Sequence, residues 1–133
     1  MIKPELIKEF LDKKNIISIV GASRDPNKYG HQVYIDLKEA GYEVYPVNPN
    51  AKEIMGDKCY PDLRSLPVKP DVVNLVVPPK ITEDIVKTCK ELGITKVWMQ
   101  PRSESEWAIN FCKENAIDCM YGICIMVQRR KLI

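Results

Sequence analysis

The fold of this chain is decided by the stretch Ile16-Ile17-Ser18-Ile19-Val20-Gly21-Ala22-Ser23-Arg24-Asp25-Pro26-Asn27-Lys28-Tyr29-Gly30. Its first five residues are an apolar run that predicts a buried strand, and the residues that follow carry Val33, Leu37 and Ala40 at helical spacing. A strand, a flexible turn and a helix together form a unit that holds phosphate groups, because glycine allows close backbone approach and the helix N-terminus offers free N–H groups. The sequence therefore predicts a phosphate-binding loop over residues 21–30.

Strands and helices alternate along the whole chain. The apolar patterns predict five strands, at 16–20, 43–47, 72–77, 96–100 and about 117–120. They predict helices over about 4–14, over about 30–40, from a Thr82 cap to Gly93, and from a Ser103 cap to about 115. A short extra strand within 56–60 and a helical turn at 62–66 complete the expected elements.

The run Val72-Val73-Asn74-Leu75-Val76-Val77 is nearly continuous in β-branched residues, which indicates a strand buried on both faces of a parallel sheet. Alternating strands and helices with right-handed crossovers predict an α/β, Rossmann-like doubly wound fold, with a five-stranded, mainly parallel sheet and helices on both faces. We expect residues 1–133 to form a single domain. Ligands of such sheets bind beyond the carboxyl ends of the strands.

Composition narrows the function classes. Of the 133 residues 29% are charged and 45% apolar, which is typical of a globular domain, and the net charge of +2 argues against nucleic-acid binding. No apolar run approaches the roughly 20 residues of a membrane span, and the N-terminal residues lack a signal-peptide pattern, so we expect a cytoplasmic protein that does not bind membranes. The five cysteines form no C-x-x-C pair and the chain has one histidine, so we expect reduced thiols and no metal site.

The loop departs from the dinucleotide fingerprint. G-x-G-x-x-G would place glycines at 21, 23 and 26, whereas Ser23 and Pro26 occupy the last two positions. The second strand leads to Asn48 and not to the acidic residue that holds the ribose of NAD, and Lys52 follows four residues later. These features favour a nucleotide that carries more phosphate than NAD.

Five segments carry a resemblance to a known family. They are Val20-Gly21-Ala22-Ser23 with Lys28 and Gly30, Tyr45-Pro46-Val47-Asn48-Pro49, Val76-Val77-Pro78-Pro79, Val97-Trp98-Met99-Gln100-Pro101 and Cys124-Ile125-Met126-Val127. Over roughly residues 10–130 the chain resembles the small stand-alone coenzyme A-binding proteins, which are similar to the N-terminal domain of the succinyl-CoA synthetase alpha subunit. The resemblance implies a Rossmann-like domain of five parallel strands whose cofactor is coenzyme A or an acyl-CoA.

One position departs from that family. Its members commonly have glycine after the Gln-Pro pair, and this chain has Arg102. A long cation there would either contact a phosphate or obstruct part of the pocket.

The predicted cofactor-binding residues fall into three groups, each with a purely structural alternative. In the loop, the amides of Gly21, Ala22 and Ser23 would approach the diphosphate, Arg24 and Lys28 would pair with phosphate, Tyr29 would flank the adenine, and Gly30 would close the bend. After the second strand, Asn48, Pro49, Asn50 and Lys52 would meet the ribose or the 3′-phosphate. Pro78 and Pro79 would line the pantetheine arm, and Val77, Gln100 and Pro101 are further residues expected to contact the cofactor. The alternatives are ordinary tight turns, solvated loop cations and strand-ending prolines.

Two further residues carry open questions. His31 would either donate to a phosphate or pack against the protein. Cys124 would either meet the thiol of the coenzyme or serve as a buried structural cysteine.

No catalytic motif stands out, since the chain has no Gly-x-Ser-x-Gly elbow, no P-loop and no H-E-x-x-H. We therefore expect a protein that binds coenzyme A or an acyl-CoA without catalysis of its own. One alternative is the CoA-binding component of a multi-chain acyl-CoA ligase, and another is a nicotinamide-nucleotide sensor. The expected partner is a small-molecule ligand, and association with a further copy or with another protein stays open.

Overall fold

The computed structural model describes residues 3–132, so the outermost residues of the predicted domain, 1–2 and 133, lie outside the described part. The strands are β1 (Ile16–Val20), β2 (Glu43–Val47), β3 (Glu53–Ile54), β4 (Asp57–Lys58), β5 (Val72–Leu75), β6 (Lys96–Met99) and β7 (Asp118–Met120). The helices are α1 (Pro4–Phe10), α2 (Tyr29–Glu39), α3 (Pro79–Leu92), α4 (Glu106–Glu114) and α5 (Ile125–Arg130).

Five strands form one sheet in the order β2-β1-β5-β6-β7, and every neighbouring pair is parallel. The predicted Rossmann-like α/β fold is confirmed. The chain reverses its direction of travel across the sheet between β1 and β5, so the connections leaving these two strands diverge to opposite faces. This switch point is where a doubly wound sheet leaves a crevice for ligands.

The core consists of two layers, one on each face of the sheet. Alternating residues of each strand supply the two layers, as the pleat requires. On one face Ile17, Ile19 and Trp98 pack with α1, α2 and α5, and Phe10 meets the Trp98 ring edge-on with a centroid distance of 5.8 Å. The other face packs against α3 and α4. Each fully buried large side chain contributes about 1.5–3 kcal/mol to folding, so these layers hold the crevice in place.

The edge strand β2 contains Pro46, which has no N–H to donate. The carbonyl of Pro46 accepts from the N–H of Tyr60 at 3.0 Å, and the N–H of Asn48 donates to the carbonyl of Tyr60 at 2.9 Å. Tyr60 thus bonds to the outer side of β2, while Val47 accepts from Gly21 on the inner side. The missing donor therefore falls on the side that faces away from β1, which explains how proline fits this strand.

Several element boundaries differ from the sequence-based prediction. The opening helix ends at Phe10, and α3 begins at Pro79 after Pro78, so that Thr82 is buried within the helix and does not cap it. The cap of α4 is Ser105, whose hydroxyl accepts from the Ala108 N–H at 3.1 Å, and not Ser103. The short helix α5 has no counterpart among the predicted elements.

Candidate functional site

The glycine-bounded loop (residues 21–30) is closed by a backbone contact. Gly21 has φ +97°, and a Cβ at this position would lie 2.1 Å from the carbonyl oxygen of Val76. A Cβ at Gly30 would lie 2.0 Å from the carbonyl oxygen of Gly21. Neither position has room for a side chain, because the first atom would overlap a backbone oxygen. The two glycines therefore press the start of α2 against the carboxyl end of β1.

Short hydrogen bonds order the loop between the glycines. The hydroxyl of Ser23 accepts from the Asp25 N–H at 3.1 Å, and the Asp25 carboxylate accepts from the Asn27 N–H at 3.0 Å. Nδ1 of His31 lies 2.8 Å from the carbonyl oxygen of Ser23. A carbonyl can only accept, so this nitrogen carries the proton. In this arrangement His31 braces the loop from the first turn of α2.

The electrostatics at the N-terminus of α2 favour negative charge. No side chain within residues 3–132 caps it, and its first turn contains no acidic residue. Arg24 and Lys28 are exposed and take no part in an ion pair within the same described range. The carboxylate of Asp25 is the nearest acid along the loop, and it is engaged with Asn27. The helix dipole and two exposed cations therefore favour an anion at this end of the sheet.

The connection after β2 lies beside the loop. The side-chain amide of Asn48 donates to the carbonyl of Ala22 at 2.7 Å, and its oxygen accepts from the Asn50 N–H at 2.8 Å. Asn48 thus ties the two connections together. Pro49, Asn50 and Lys52 are exposed around it. Burial raises the pKa of the neighbouring Cys59 thiol, although the charge of Arg24 opposes the shift.

A groove of about 500 Å³ lies beyond the carboxyl ends of β5 and β6. It is lined by Tyr29, Val76, Val77, Pro78, Pro101, Arg102 and Ser103. Its walls are mostly apolar, and the hydroxyl of the buried Ser103 accepts from the Val77 N–H at 3.1 Å. Pro79 opens α3 at the rim and is exposed. Tyr29, the first residue of α2, joins this groove to the glycine-bounded loop.

Beneath the groove three side chains that are distant in the sequence form a hydrogen-bonded cluster. Gln100 is fully buried, its Nε2 donates to the hydroxyl of Tyr29 at 2.7 Å, and its Oε1 accepts from the Ile125 N–H at 2.9 Å. The Tyr29 hydroxyl in turn donates to the Cys124 sulfur at 2.8 Å. Because Gln100 is enclosed, its place in the structure is one of support for Tyr29, a role that the sequence did not indicate.

This cluster alters the acidity of Cys124. Burial by itself would raise the pKa of the thiol, but the hydrogen bonds from Tyr29 and Gln100 and from the α5 backbone outweigh it and lower the pKa. Burial, followed by the contact with Cys124, raises the pKa of the Tyr29 hydroxyl, which therefore remains a donor. Cys124 is half-buried, and the lowered pKa increases the fraction of thiolate at a given pH.

The turn after β6 contains a residue in an unfavourable conformation. Arg102 has φ +81°, in the left-handed region that glycine adopts freely. The two carboxylate oxygens of Glu104 accept from its backbone N–H at 3.0 and 3.1 Å. The Arg102 side chain is exposed at the groove. The sequence indicated a cation at the edge of the pocket, and the structure adds the left-handed backbone that this position requires.

A second cavity, of about 360 Å³, lies against the edge strand β2. Tyr34, Lys38, Tyr45, Asp57 and Tyr60 are among its lining residues. Asp57 accepts hydrogen bonds from Lys38 and Tyr34. Both lower the pKa of its carboxyl, and the bond from Lys38 has the larger effect. Lys38 and Asp57 pair with each other across this cavity and are therefore less available to a ligand.

Neither a metal-binding cluster nor a membrane span is found in the described part of the chain. No group of three His, Cys, Asp or Glu side chains is arranged to hold a metal ion within residues 3–132. None of the helices in that range is both long and apolar enough to cross a membrane.

The chain matches one protein family over most of its length and is similar to several known proteins. Residues 15–130 match the sequence model of a family described as a CoA binding domain. The chain is 30% identical over 121 residues to the uncharacterized protein YneT of Bacillus subtilis, a match that covers 91% of this chain and 90% of that protein. A hypothetical protein from Pyrococcus horikoshii OT3 superposes with a TM-score of 0.90 at 35% identity, covering 98% of this chain and 92% of the other.

A larger relative matches in part. Over 82 residues, 61% of this chain, the identity with the alpha subunit of acetate–CoA ligase (ADP-forming) II of Pyrococcus furiosus is 39%. The match covers 18% of that subunit, so this chain spans less than a fifth of the ligase subunit.

Proposed function

Because the chain belongs to the family of CoA-binding domains, we propose that it binds coenzyme A or an acyl-CoA at the edge formed by the glycine-bounded loop and the groove. The loop would hold the diphosphate, and the groove would take the pantetheine arm and any acyl group. The observation that carries the proposal is the contact of Gly21 with Gly30, which turns an uncapped helix N-terminus toward the switch point of the sheet.

The residues around the loop fit a ligand rich in phosphate. Arg24 and Lys28 are exposed beside the start of α2, whose first turn carries no acid. Lys52, beyond Asn48, provides a third exposed cation after the neighbouring strand. Coenzyme A carries a diphosphate and a separate 3′-phosphate, so a pair of cations on one connection and a single cation on the next match its charge distribution.

Calorimetric titration with coenzyme A tests the proposal. We expect measurable binding that weakens roughly five- to tenfold in Lys28→Ala, because a charge-assisted contact with phosphate is lost. Lys90→Ala is the matched control, since Lys90 is an exposed lysine in the last turn of α3, at the end of that helix far from the groove, and should leave the affinity unchanged. Absence of heat and of any thermal shift at millimolar coenzyme A would refute the proposal.

Dephospho-coenzyme A lacks the 3′-phosphate, so it distinguishes contacts with that phosphate from contacts with the diphosphate. If Lys52 meets the 3′-phosphate, Lys52→Ala should weaken binding of coenzyme A but not of its dephospho form, whereas Lys28→Ala should weaken both. Competition with NADH in the same titration addresses the nicotinamide-nucleotide alternative, which would require NADH to displace coenzyme A at comparable concentration.

The identity with a ligase subunit supports a second candidate, a CoA-binding component of a multi-chain acyl-CoA ligase. Co-purification with a partner chain and ATP-dependent thioester formation by the complex would support it. Coenzyme A binding by the isolated chain is expected in both cases, so the two candidates differ only in the partner.

A further inference from the structure

One polar side chain that lines the groove has no hydrogen-bond or ion-pair partner within residues 3–132. Of its polar lining residues, Ser103 is bonded to the Val77 N–H and Tyr29 donates to Cys124. The guanidinium of Arg102 has no hydrogen-bond or ion-pair partner anywhere in residues 3–132. The nearby Glu104 carboxylate binds the Arg102 backbone and weakens the local positive potential without pairing with the side chain. A free cation therefore stands at the edge of an apolar groove.

The backbone at Arg102 adopts a conformation that costs less for glycine than for arginine. Its φ of +81° is a conformation that glycine adopts without cost and that a residue with a Cβ adopts only under strain. Side chains held in such conformations cluster at ligand sites, where the surrounding structure enforces them. Here the enforcement is visible, because both Glu104 oxygens hold the Arg102 N–H.

The position of Arg102 relates it to one end of the proposed ligand. The glycine-bounded loop follows β1, whereas the groove extends over the ends of β5 and β6, which lie one and two strands further along the sheet. With strands about 4.8 Å apart, a ligand anchored by its diphosphate at α2 would reach the groove with its far end. The arm of coenzyme A is neutral, so a cation at that end matches an anion on the acyl group.

We propose that Arg102 makes the groove selective for acyl-CoA thioesters whose acyl chain ends in a carboxylate. This proposal rests on the proposed binding of coenzyme A and adds the class of acyl group. The planar guanidinium matches a carboxylate in a bidentate geometry, and the apolar walls provided by Val76, Val77 and Pro101 suit the methylene chain between thioester and carboxylate.

Pairs of thioesters with equal chain length test it by calorimetry. Malonyl-CoA is compared with propionyl-CoA, and glutaryl-CoA with valeryl-CoA, for the native chain and for Arg102→Gln, Arg102→Lys and Arg102→Gly. We expect the native chain to bind at least one dicarboxylic member about 5- to 30-fold more tightly than its partner. That ratio should fall to about one in Arg102→Gln and Arg102→Gly and survive in part in Arg102→Lys, while the affinity for free coenzyme A stays within about twofold.

The controls separate this proposal from the proposed binding of coenzyme A. Ala116→Gly makes a glycine substitution at another left-handed residue, φ +56°, outside the groove, and should leave every ratio unchanged. Native binding of the thioesters without discrimination in either pair would overturn the selectivity proposal alone. Equal weakening of coenzyme A and all thioesters in Arg102→Gln would also overturn it, because Arg102 would then contact a part that all of them share. If no CoA compound binds the native chain, the proposed function itself fails.

Discussion

Two strand-to-helix connections meet at the candidate site, the glycine-bounded loop after β1 and the turn of residues 100–105 after β6, and they differ in the room they leave for a side chain. In the loop, a Cβ on Gly21 or Gly30 would overlap a backbone oxygen at 2.1 or 2.0 Å. In the turn, Arg102 adopts a left-handed conformation and still projects an exposed side chain. The first connection has no room for a side chain, whereas the second presents a charged side chain at the groove.

The largest expected effect comes from breaking the packed connection. Gly21→Ala should lower the free energy of unfolding by about 3–4 kcal/mol, because it adds an overlap with the Val76 carbonyl to the cost of a positive φ. Urea denaturation measures the loss.

Gly122→Ala is the matched control for that experiment. Gly122 has φ +77°, and a Cβ added there would have nothing within 4 Å, so only the dihedral cost of about 1–2 kcal/mol applies. Equal losses in the two variants would show that the contact with Val76 contributes nothing to the difference between the two connections.

A smaller effect of opposite sign is expected in the turn. Arg102→Gly should raise the free energy of unfolding by about 1 kcal/mol, equivalent to roughly 3–6 °C in Tm, because it relieves the left-handed conformation. Thermal denaturation of the ligand-free protein checks this, with Ala116→Gly expected to show a similar gain. Destabilisation by Arg102→Gly alone would mean that the side chain supports the fold, and would remove the distinction drawn between the two connections.

The smallest effect concerns Tyr29, which belongs to the loop and is hydrogen-bonded to Gln100 of the turn. Tyr29→Phe removes the hydroxyl that donates to the Cys124 sulfur, so the pKa of that thiol should rise. Alkylation of Cys124 by iodoacetamide at neutral pH should slow roughly fivefold, and its pH profile should move to higher pH, since the thiolate is the reactive form.

Cys119 provides the reference thiol in the same sample. It is also half-buried, but its interaction with the Cys112 thiol, together with burial, raises its pKa. Peptide mapping by mass spectrometry should therefore find Cys124 alkylated before Cys119 in the native chain. An unchanged Cys124 rate in Tyr29→Phe would show that the cluster does not transmit a change from α2 to this thiol.

The sequence was sufficient to predict the five strands of the parallel sheet and the helices that alternate with them. A central parallel strand is buried on both faces, and this leaves the nearly continuous apolar run at Val72–Leu75, which only Asn74 interrupts. The loop was equally visible, because glycine at positions 21 and 30 follows a strand and opens a helix. Both patterns involve residues that are close together in the chain, so they can be recognised in a single sequence.

Features that depend on contacts between distant residues could not be predicted. Ser103 has the pattern of a helix cap, but its hydroxyl binds the Val77 N–H, 26 residues away, and Ser105 caps the helix. Gln100 has the pattern of a groove residue, but it is fully buried under Tyr29. Helix α5 has six residues, too few for a helical period to stand out.

The bond between Tyr60 and the outer side of β2 has a consequence for how the molecule behaves in a crowded solution. An exposed strand at the margin of a sheet is a template on which a foreign segment can align and begin a fibril. At Pro46 an incoming segment finds no amide hydrogen, and it finds the carbonyl already occupied by Tyr60. The chain itself therefore hinders the addition of a foreign strand to this edge of the sheet, and so hinders aggregation.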